Sequence, residues 1–117
     1  MNFDYTEEQR MIRDMVRDFA ESEIRPRIQE IDYDGVFPRD LVRKMGELGL
    51  MGLTITEEYG GAGADQIAYS LAVEELSRVS ASVAITMSVN NSVCCFPIYA
   101  FGNEDQKARY LSPSARG

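Results

Sequence analysis

The spacing of apolar residues near the amino terminus predicts a first helix. Thr6 and Gln9 have the spacing of a capping box. The apolar residues that follow recur with the helical period of about 3.6 residues and share one face: Met11, Ile12, Met15, Val16, Phe19 and Ala20. We expect this helix to run from about Glu7 to Glu23. Pro26 lacks a backbone N–H donor, so the turn after it should form a separate or kinked piece.

Two more helices are predicted in the middle of the chain. The first follows Phe37 and Pro38 and ends at Gly49, which stands where a left-handed cap residue is expected. A turn-rich loop with Gly60, Gly61 and Gly63 comes next. Asp65 is the expected N-cap of the following helix. Both helices keep their apolar residues at helical spacing: Leu41, Val42, Met45 and Leu48 in the first, and Ile67, Leu71, Leu76 and Val79 in the second.

A fourth helix, from Val83 to about Val93, differs because it carries no charged residue. A helix without a charged face is normally surrounded by protein. We expect Phe96 and Pro97 to break it, and a last helix to begin at Asn103 and to stop near Pro113. The pattern as a whole predicts an all-α fold, an up-and-down helical bundle-like domain of about five helices.

Composition and charge exclude several classes of function. The 117 residues suit one globular domain. Twelve Lys and Arg against nineteen Asp and Glu give a net charge of −7, with no basic run, which disfavours nucleic acid and anionic membranes as partners. The chain has no histidine, so Ser-His and Cys-His nucleophiles and His-ligated metal sites are excluded.

The cysteines and the amino terminus indicate a cytoplasmic protein. Cys94 and Cys95 are neighbours, and a disulfide between adjacent residues has unfavourable geometry, so a reduced chain is expected. No apolar stretch approaches the roughly 20 residues of a membrane span. The acidic amino terminus differs from a basic targeting segment. We therefore expect the chain to begin at its own start and to stay in the cytoplasm of a bacterium.

Three residue groups have both a functional and a structural interpretation, and the structural one is favoured for each. Glu74 and Glu75 resemble an acid-base pair, but Arg78 lies one turn away, ready to form an ion pair. The glycine-rich run 60–63 lacks the spacing and the lysine of a phosphate-binding loop. The two cysteines lack a C-x-x-C partner and lie among apolar residues, which favours inert thiols.

The uncharged helix carries the most informative pattern. Ile85, Val89 and Val93 lie at i, i+4 and i+8 on one stripe, with Thr86 close by. The helix could be a central core helix whose small polar groups bond to neighbouring backbone. Alternatively, the branched stripe forms one wall of a ligand tunnel. The spacing alone leaves both interpretations open.

Seven short sequence stretches follow one another along the chain: residues 4–9, 37–38, 46–53, 57–63, 73–76, 87–92 and 102–107. Together they resemble the amino-terminal helical domain of the acyl-CoA dehydrogenase family. Residues 87–92, MSVNNS, look most like the short-chain, butyryl-type branch. Thr56 departs from the family, which commonly has proline at this position.

The resemblance implies an FAD-dependent enzyme that oxidises an acyl-CoA to the 2,3-enoyl-CoA and passes electrons to an acceptor, as a homo-oligomer. It implies that residues 1–117 are the helical domain only, with the family's β-domain and carboxy-terminal helical domain absent from this chain. No catalytic, flavin-binding or metal-binding residue is carried over, and this stretch alone is expected to be inactive and to bind no FAD. The implied substrate-pocket residues are Ile85, Thr86, Val89 and Val93. The alternative is a non-catalytic, stand-alone helical interaction module.

Overall fold

Seven α-helical segments, and no strand, make up the computed structural model, which describes all 117 residues. Turns with π-helical or 3₁₀ hydrogen bonding extend α1 as far as residue 33 and join α4 to α5 and α6 to α7, leaving five continuous helical rods. The predicted all-α fold of about five helices is confirmed. The segments are α1 (Glu7–Phe19), α2 (Arg39–Glu47), α3 (Gln66–Ser77), α4 (Ala81–Val89), α5 (Phe96–Phe101), α6 (Glu104–Gln106) and α7 (Ser112–Arg116).

The helix ends follow the caps that the sequence predicted. The Thr6 hydroxyl accepts a hydrogen bond from the Gln9 N–H at 3.2 Å, and the Gln9 side chain accepts one from the Thr6 N–H at 2.9 Å. Asp65 accepts from the Ala68 N–H at 2.8 Å, and Gly49 has a φ of 80°. The Gln9 amide also donates to the second Asp65 oxygen at 2.7 Å, so the start of α1 is tied to the start of α3.

Contrary to the sequence analysis, Pro97 and Pro113 do not end helices but lie inside continuous rods. Pro26, where a separate or kinked piece was expected, lies in a separate 3₁₀ turn, Arg25–Arg27, within the irregular extension of α1. A π-helical turn precedes each of these three prolines, and the residue just before the proline donates its N–H to the carbonyl five residues earlier. This wider turn gives room to the proline ring, which would clash with the i−4 carbonyl of an α-helix. The π turns before these prolines are Ala20–Ile24, Asn90–Cys95 and Lys107–Leu111, and a fourth, Gln29–Tyr33, ends the extension of α1.

Because Pro97 is accommodated, the uncharged helix is longer than predicted. It runs without interruption over 21 residues, Ala81–Phe101, and by length and composition it is long enough to cross a bilayer. The expectation that no stretch of the chain approaches that length was wrong. Only 28% of the most apolar 18-residue stretch of this helix is buried inside the domain. The side chains of Asn90 and Asn91 in the middle of this helix, however, form hydrogen bonds with backbone groups of other segments of the domain.

Asn91 holds this long helix against an irregular part of the chain. Its side chain is 2% exposed and makes three bonds to backbone. The Oδ1 atom accepts from the Leu53 N–H at 2.7 Å, and Nδ2 donates to the carbonyls of Leu50 and Met87 at 2.8 and 2.9 Å. Residues 50–53 form only a short 3₁₀ turn, so their polar backbone groups need partners from elsewhere. Asn91 supplies them.

Asn90, next to Asn91, extends the same connection to the last helix. Its Nδ2 donates to the Met51 carbonyl at 2.6 Å and to the Ser114 carbonyl at 2.9 Å. The residues of α7 pack tightly on this segment, since a Cβ added to Gly52 would lie 2.6 Å from the Ala115 Cβ. The two asparagines therefore join three segments that are distant in sequence.

The helices pack as a flat slab of 42 × 41 × 19 Å, about two helix layers thick. The main core lies where α1 packs on α3 and α3 packs on α4, and it includes Val16, Ala72, Leu76 and Met87. Met11, predicted to lie on the buried face of α1, is exposed. The accessible surface of 6975 Å² exceeds the roughly 6400 Å² expected for a folded monomer of this mass. The flat shape thus leaves broad faces uncovered.

Replacing Asn91 with alanine is expected to lower the free energy of unfolding by about 3 kcal/mol, because buried backbone groups of Leu50 and Leu53 lose their partner. Urea denaturation of both forms measures the loss. Ser92→Ala is the matched control, since Ser92 is exposed and bonds only within its own helix, to the Ser88 carbonyl. A cost for Asn91→Ala no larger than that of the control would show that the contact is dispensable.

Replacing Thr56 with proline is expected to stabilise the domain by about 0.5 to 1 kcal/mol. The residue has φ −64° and ψ 152°, which proline adopts without strain, and its N–H makes no backbone hydrogen bond. The Thr56 hydroxyl is also buried without a partner. Thermal unfolding measures the change, and Thr56→Val, which removes the hydroxyl but leaves φ free, should gain less. A lower melting temperature for the proline variant would refute this account of the loop.

Candidate functional site

The two sides of the long helix Ala81–Phe101 face different environments. One side packs into the domain through Val83, Ala84, Met87, Asn91 and Cys95. The other side carries the predicted stripe, and it is open: Ile85 is 61% exposed, Val89 46% and Val93 67%. The stripe extends about 12 Å along the helix axis. These three residues are therefore not part of the core of this domain.

Thr86 lies half-buried beside the stripe. Its hydroxyl donates to the Ser82 carbonyl at 2.9 Å, inside the same helix, so it does not offer a free donor to a ligand. The four sequence-predicted pocket residues thus lie together along one side of a helix without charged residues. Such a surface contacts hydrocarbon and excludes water, but it supplies no acid, base or cation.

Three depressions adjoin the long helix along its length. The first, which we name the Phe37 pocket, has a volume of about 180 Å³ and lies between residues 31–38 and the start of α4. The second has about 220 Å³ and lies beside the π turn, where Tyr69, Ser92 and Phe96 line it. A third, of about 310 Å³, lies between α5 and the last helix. No Lys, Arg, Asp or Glu lines any of the three, so none offers a cation to a phosphate group.

Glu75 has the structural role that the sequence analysis favoured. It is buried between α1 and α3, where Arg17 donates two hydrogen bonds to it, at 2.7 and 3.0 Å, and Arg78 donates one at 3.1 Å. The hydrogen bonds from Arg17 hold the pKa of Glu75 below its usual range. Glu75 is therefore an ionised partner in a structural ion pair, while Glu74 is exposed and forms no acid-base pair with it.

The environment of Cys95 agrees with the inert thiol that the sequence analysis favoured. Cys95 is fully buried, and burial raises the pKa of its thiol to about 11. At neutral pH the thiol is protonated and is a poor nucleophile. Cys94 is half-buried, and the two cysteines form no disulfide. The chain contains no cluster of side chains that could hold a metal ion.

The glycine-rich loop uses its N–H donors internally. The N–H of Gly61 donates to the Thr56 carbonyl at 3.1 Å, and that of Gly63 donates to the Ile55 carbonyl at 2.8 Å. Gly61 also packs so tightly on Ile55 that a Cβ there would overlap the Ile55 carbonyl. The loop is a structural turn, in agreement with the sequence analysis, and its amides are not available to a phosphate.

The sequence analysis kept open a helix whose small polar groups bond to neighbouring backbone, and Asn90 and Asn91 do so. It did not identify which backbone groups they reach. It also did not predict that Phe37 and Thr86 line the same pocket, because residues so far apart in sequence leave no periodic pattern.

Comparison with known proteins identifies the family. The family model "Acyl-CoA dehydrogenase, N-terminal domain" matches residues 6–117. The chain is 48% identical, over its whole length, to the probable acyl-CoA dehydrogenase YngJ of Bacillus subtilis, and it spans 31% of that protein.

Solved structures give the same result. A structure described as the electron transferring flavoprotein of Acidaminococcus fermentans contains a chain with a TM-score of 0.95 and 50% identity, covering 100% of this chain and 31% of that one. Butyryl-CoA dehydrogenase from Megasphaera elsdenii matches with a TM-score of 0.91 and 38% identity, covering 99% of this chain and 31% of that one. The chain spans about a third of the length of these relatives. It therefore belongs to the acyl-CoA dehydrogenase family and matches the N-terminal domain of its members.

Proposed function

We propose that this chain serves as the N-terminal domain of an FAD-dependent enzyme that oxidises an acyl-CoA to the 2,3-enoyl-CoA. Within that enzyme, Ile85, Thr86, Val89 and Val93 form one wall of the acyl pocket. The observation that carries this proposal is the stripe itself, an exposed run of branched apolar side chains on an uncharged helix. The similarity of the chain to butyryl-CoA dehydrogenase, over nearly the whole domain, supports an acyl-CoA as the substrate class.

The chemistry of the wall favours an uncharged acyl group. The helix Ala81–Phe101 has no cation to neutralise an acyl chain that ends in a carboxylate, and burying an unpaired carboxylate there would be costly. The β-branched side chains of Ile85, Val89 and Val93 project into the space that the acyl group would use. We therefore assign a short or branched, neutral acyl group as the preferred substrate.

The part played by this domain in the reaction is to position substrate and exclude water. The stripe contacts the hydrocarbon, and the bonds of Asn91 to Leu50 and Leu53 hold the helix that carries it. The buried carboxylate, Glu75, is engaged by two arginines and removes no proton. We assign the catalytic base and the flavin contacts to parts of the enzyme outside these residues.

The same proposal extends to cofactor, partner and location. FAD carries a pyrophosphate, and no depression in this domain has a basic residue to receive it, so this domain alone does not fit the cofactor. The similarity to a chain in the Acidaminococcus flavoprotein structure supports an electron-transferring flavoprotein as electron acceptor. We place the enzyme in the cytoplasm, as a soluble homo-oligomer without nucleic-acid or membrane partners.

Replacing Val89 with alanine or glycine in the full-length enzyme should move the acyl-length optimum of kcat/KM toward longer chains. Loss of the branched methyl groups opens space, and each methylene newly accommodated contributes at most about 0.8 kcal/mol. Because Val89 is nearly half exposed, the alanine variant should cost about 1 kcal/mol of stability or less. An unchanged length profile with a large stability loss would show that Val89 is core.

The isolated 117-residue chain should bind no FAD and oxidise no acyl-CoA. Its depressions lack a phosphate site, and its one buried carboxylate is held in an ion pair. Added FAD should leave the melting temperature unchanged, measured alongside the full-length enzyme as a positive control. Purification of the isolated chain as a yellow protein with stoichiometric flavin would contradict this assignment.

The isolated chain should also self-associate through the open stripe, because exposed apolar surface of this kind favours association. Sedimentation over a range of concentrations measures the association, and Val89→Lys should reduce it. Met11→Lys is the control, since Met11 is exposed on another helix. A strict monomer at high concentration that also fails to bind a hydrophobic dye would count against an open apolar face.

A further inference from the structure

The Phe37 pocket adjoins the proposed acyl wall through one shared residue, Thr86. Val93 lies seven positions after Thr86, so the distance along the helix is about 10 Å. Thr86, which lines the pocket, is next to Ile85, so the pocket lies beside the Ile85 end of the stripe. The pocket volume of about 180 Å³ is too small for a whole ligand, but it suits the end of one.

The lining of the pocket is apolar in character. Its hydrocarbon surface comes from Ile31, Val36, Phe37, Pro38 and Val83. Gly35 contributes backbone only. The two remaining residues, Ser82 and Thr86, carry hydroxyls that both donate elsewhere: Ser82 to Asp32 at 2.6 Å and Thr86 to the Ser82 carbonyl at 2.9 Å. A ligand in the pocket therefore meets hydrocarbon and finds no free hydroxyl donor.

The hydrogen bonds around Asp32 also give the pocket a fixed shape. Its Oδ1 atom accepts from the hydroxyls of Ser80 and Ser82, at 3.0 and 2.6 Å. These bonds tie the segment before Phe37 to the start of α4, which forms the opposite side of the pocket. Asp32 is exposed and brings a negative charge close to the mouth, so an anionic ligand is disfavoured.

We propose that the Phe37 pocket receives the distal, uncharged end of those acyl chains that are longer than the preferred short ones. This inference rests on the proposed function, and it adds that Val36 and Phe37, residues outside the long helix, take part in setting the longest acyl group the enzyme accepts. The stripe lines the path, and the pocket receives the part of the chain that extends beyond Thr86. The apolar lining and the adjacent carboxylate restrict the occupant to hydrocarbon.

Photo-crosslinking in the full-length enzyme tests the location directly. The probe is an octanoyl-CoA that carries a diazirine at its terminal carbon, and peptide mapping identifies the labelled residues. We expect labelling within residues 31–38 and 82–86, and we expect unlabelled octanoyl-CoA to compete it away. Labelling confined to the stripe at residues 89–93, or to residues of other domains, would overturn the inference.

A pocket-filling variant tests the energetic role. Val36→Trp in the full-length enzyme should lower the ratio of kcat/KM for octanoyl-CoA to that for butyryl-CoA about tenfold or more, since several methylenes lose their apolar contacts. Tyr33→Trp is the matched control, because Tyr33 is exposed near the pocket but does not line it, and the ratio should not change. If the Val36 variant fails to fold, Val36→Ala, which enlarges the pocket, should raise the ratio.

The outcomes separate this inference from the proposed function. Wild-type enzyme that oxidises butyryl-CoA, with a ratio unaffected by the Val36 substitutions, would overturn the role of the pocket and leave the proposed function standing. A wild-type enzyme that oxidises butyryl-CoA, but no acyl-CoA with a longer chain, would also overturn the role of the pocket and leave the proposed function standing. Wild-type enzyme that oxidises no acyl-CoA of any length would refute the proposed function, and the pocket inference with it.

Discussion

The hydrogen bonds of the Asn91 side chain are the interaction on which the rest of this domain depends. Residues 50–53 cross the interior without the regular hydrogen bonds of a helix, and Asn91 supplies a donor and an acceptor to their backbone. Buried polar backbone without a partner costs roughly 1 to 3 kcal/mol for each group, so the position of the long helix is coupled to this segment. Asn90 connects the last helix to the long helix, because its side chain donates a hydrogen bond to the Ser114 carbonyl. A helix fastened in this way on one side is free to present its other side.

The uncharged helix can therefore serve two purposes. Its buried side packs and hydrogen-bonds, while its open side presents Ile85, Val89 and Val93 as a continuous apolar strip. The π turn before Pro97 contributes as well, because it lets the helix continue instead of ending at the proline. Together with the flat shape of the domain, this leaves an apolar face that is not covered by the 117 residues. Within the acyl-CoA dehydrogenase family, such a face fits the proposed wall against an acyl chain.

Much of the fold could be predicted from the sequence because its signals are local. The caps at Thr6, Asp65 and Gly49 involve residues only a few positions apart, and the stripe follows from helical spacing. The continuation of helices through Pro97 and Pro113 was missed because the usual rule considers only α-helical hydrogen bonding. Bonding of small polar groups in this helix to neighbouring backbone was one interpretation of its pattern, but the partner of Asn91 could not be identified, since Leu53 lies 38 residues away. The exposure of the stripe likewise depends on how the helices pack, whereas the family resemblance supplied its proposed role.

Native-state hydrogen exchange at the Leu53 amide tests the central claim most directly. This N–H lies outside a regular helix and donates to the Oδ1 atom of Asn91. If Asn91 holds the domain together, the amide should exchange only on global unfolding, with an opening free energy that matches the denaturant-derived value. Exchange through a low-energy local opening, with the neighbouring helices still protected, would contradict the account, since the long helix would then be held in place without this bond.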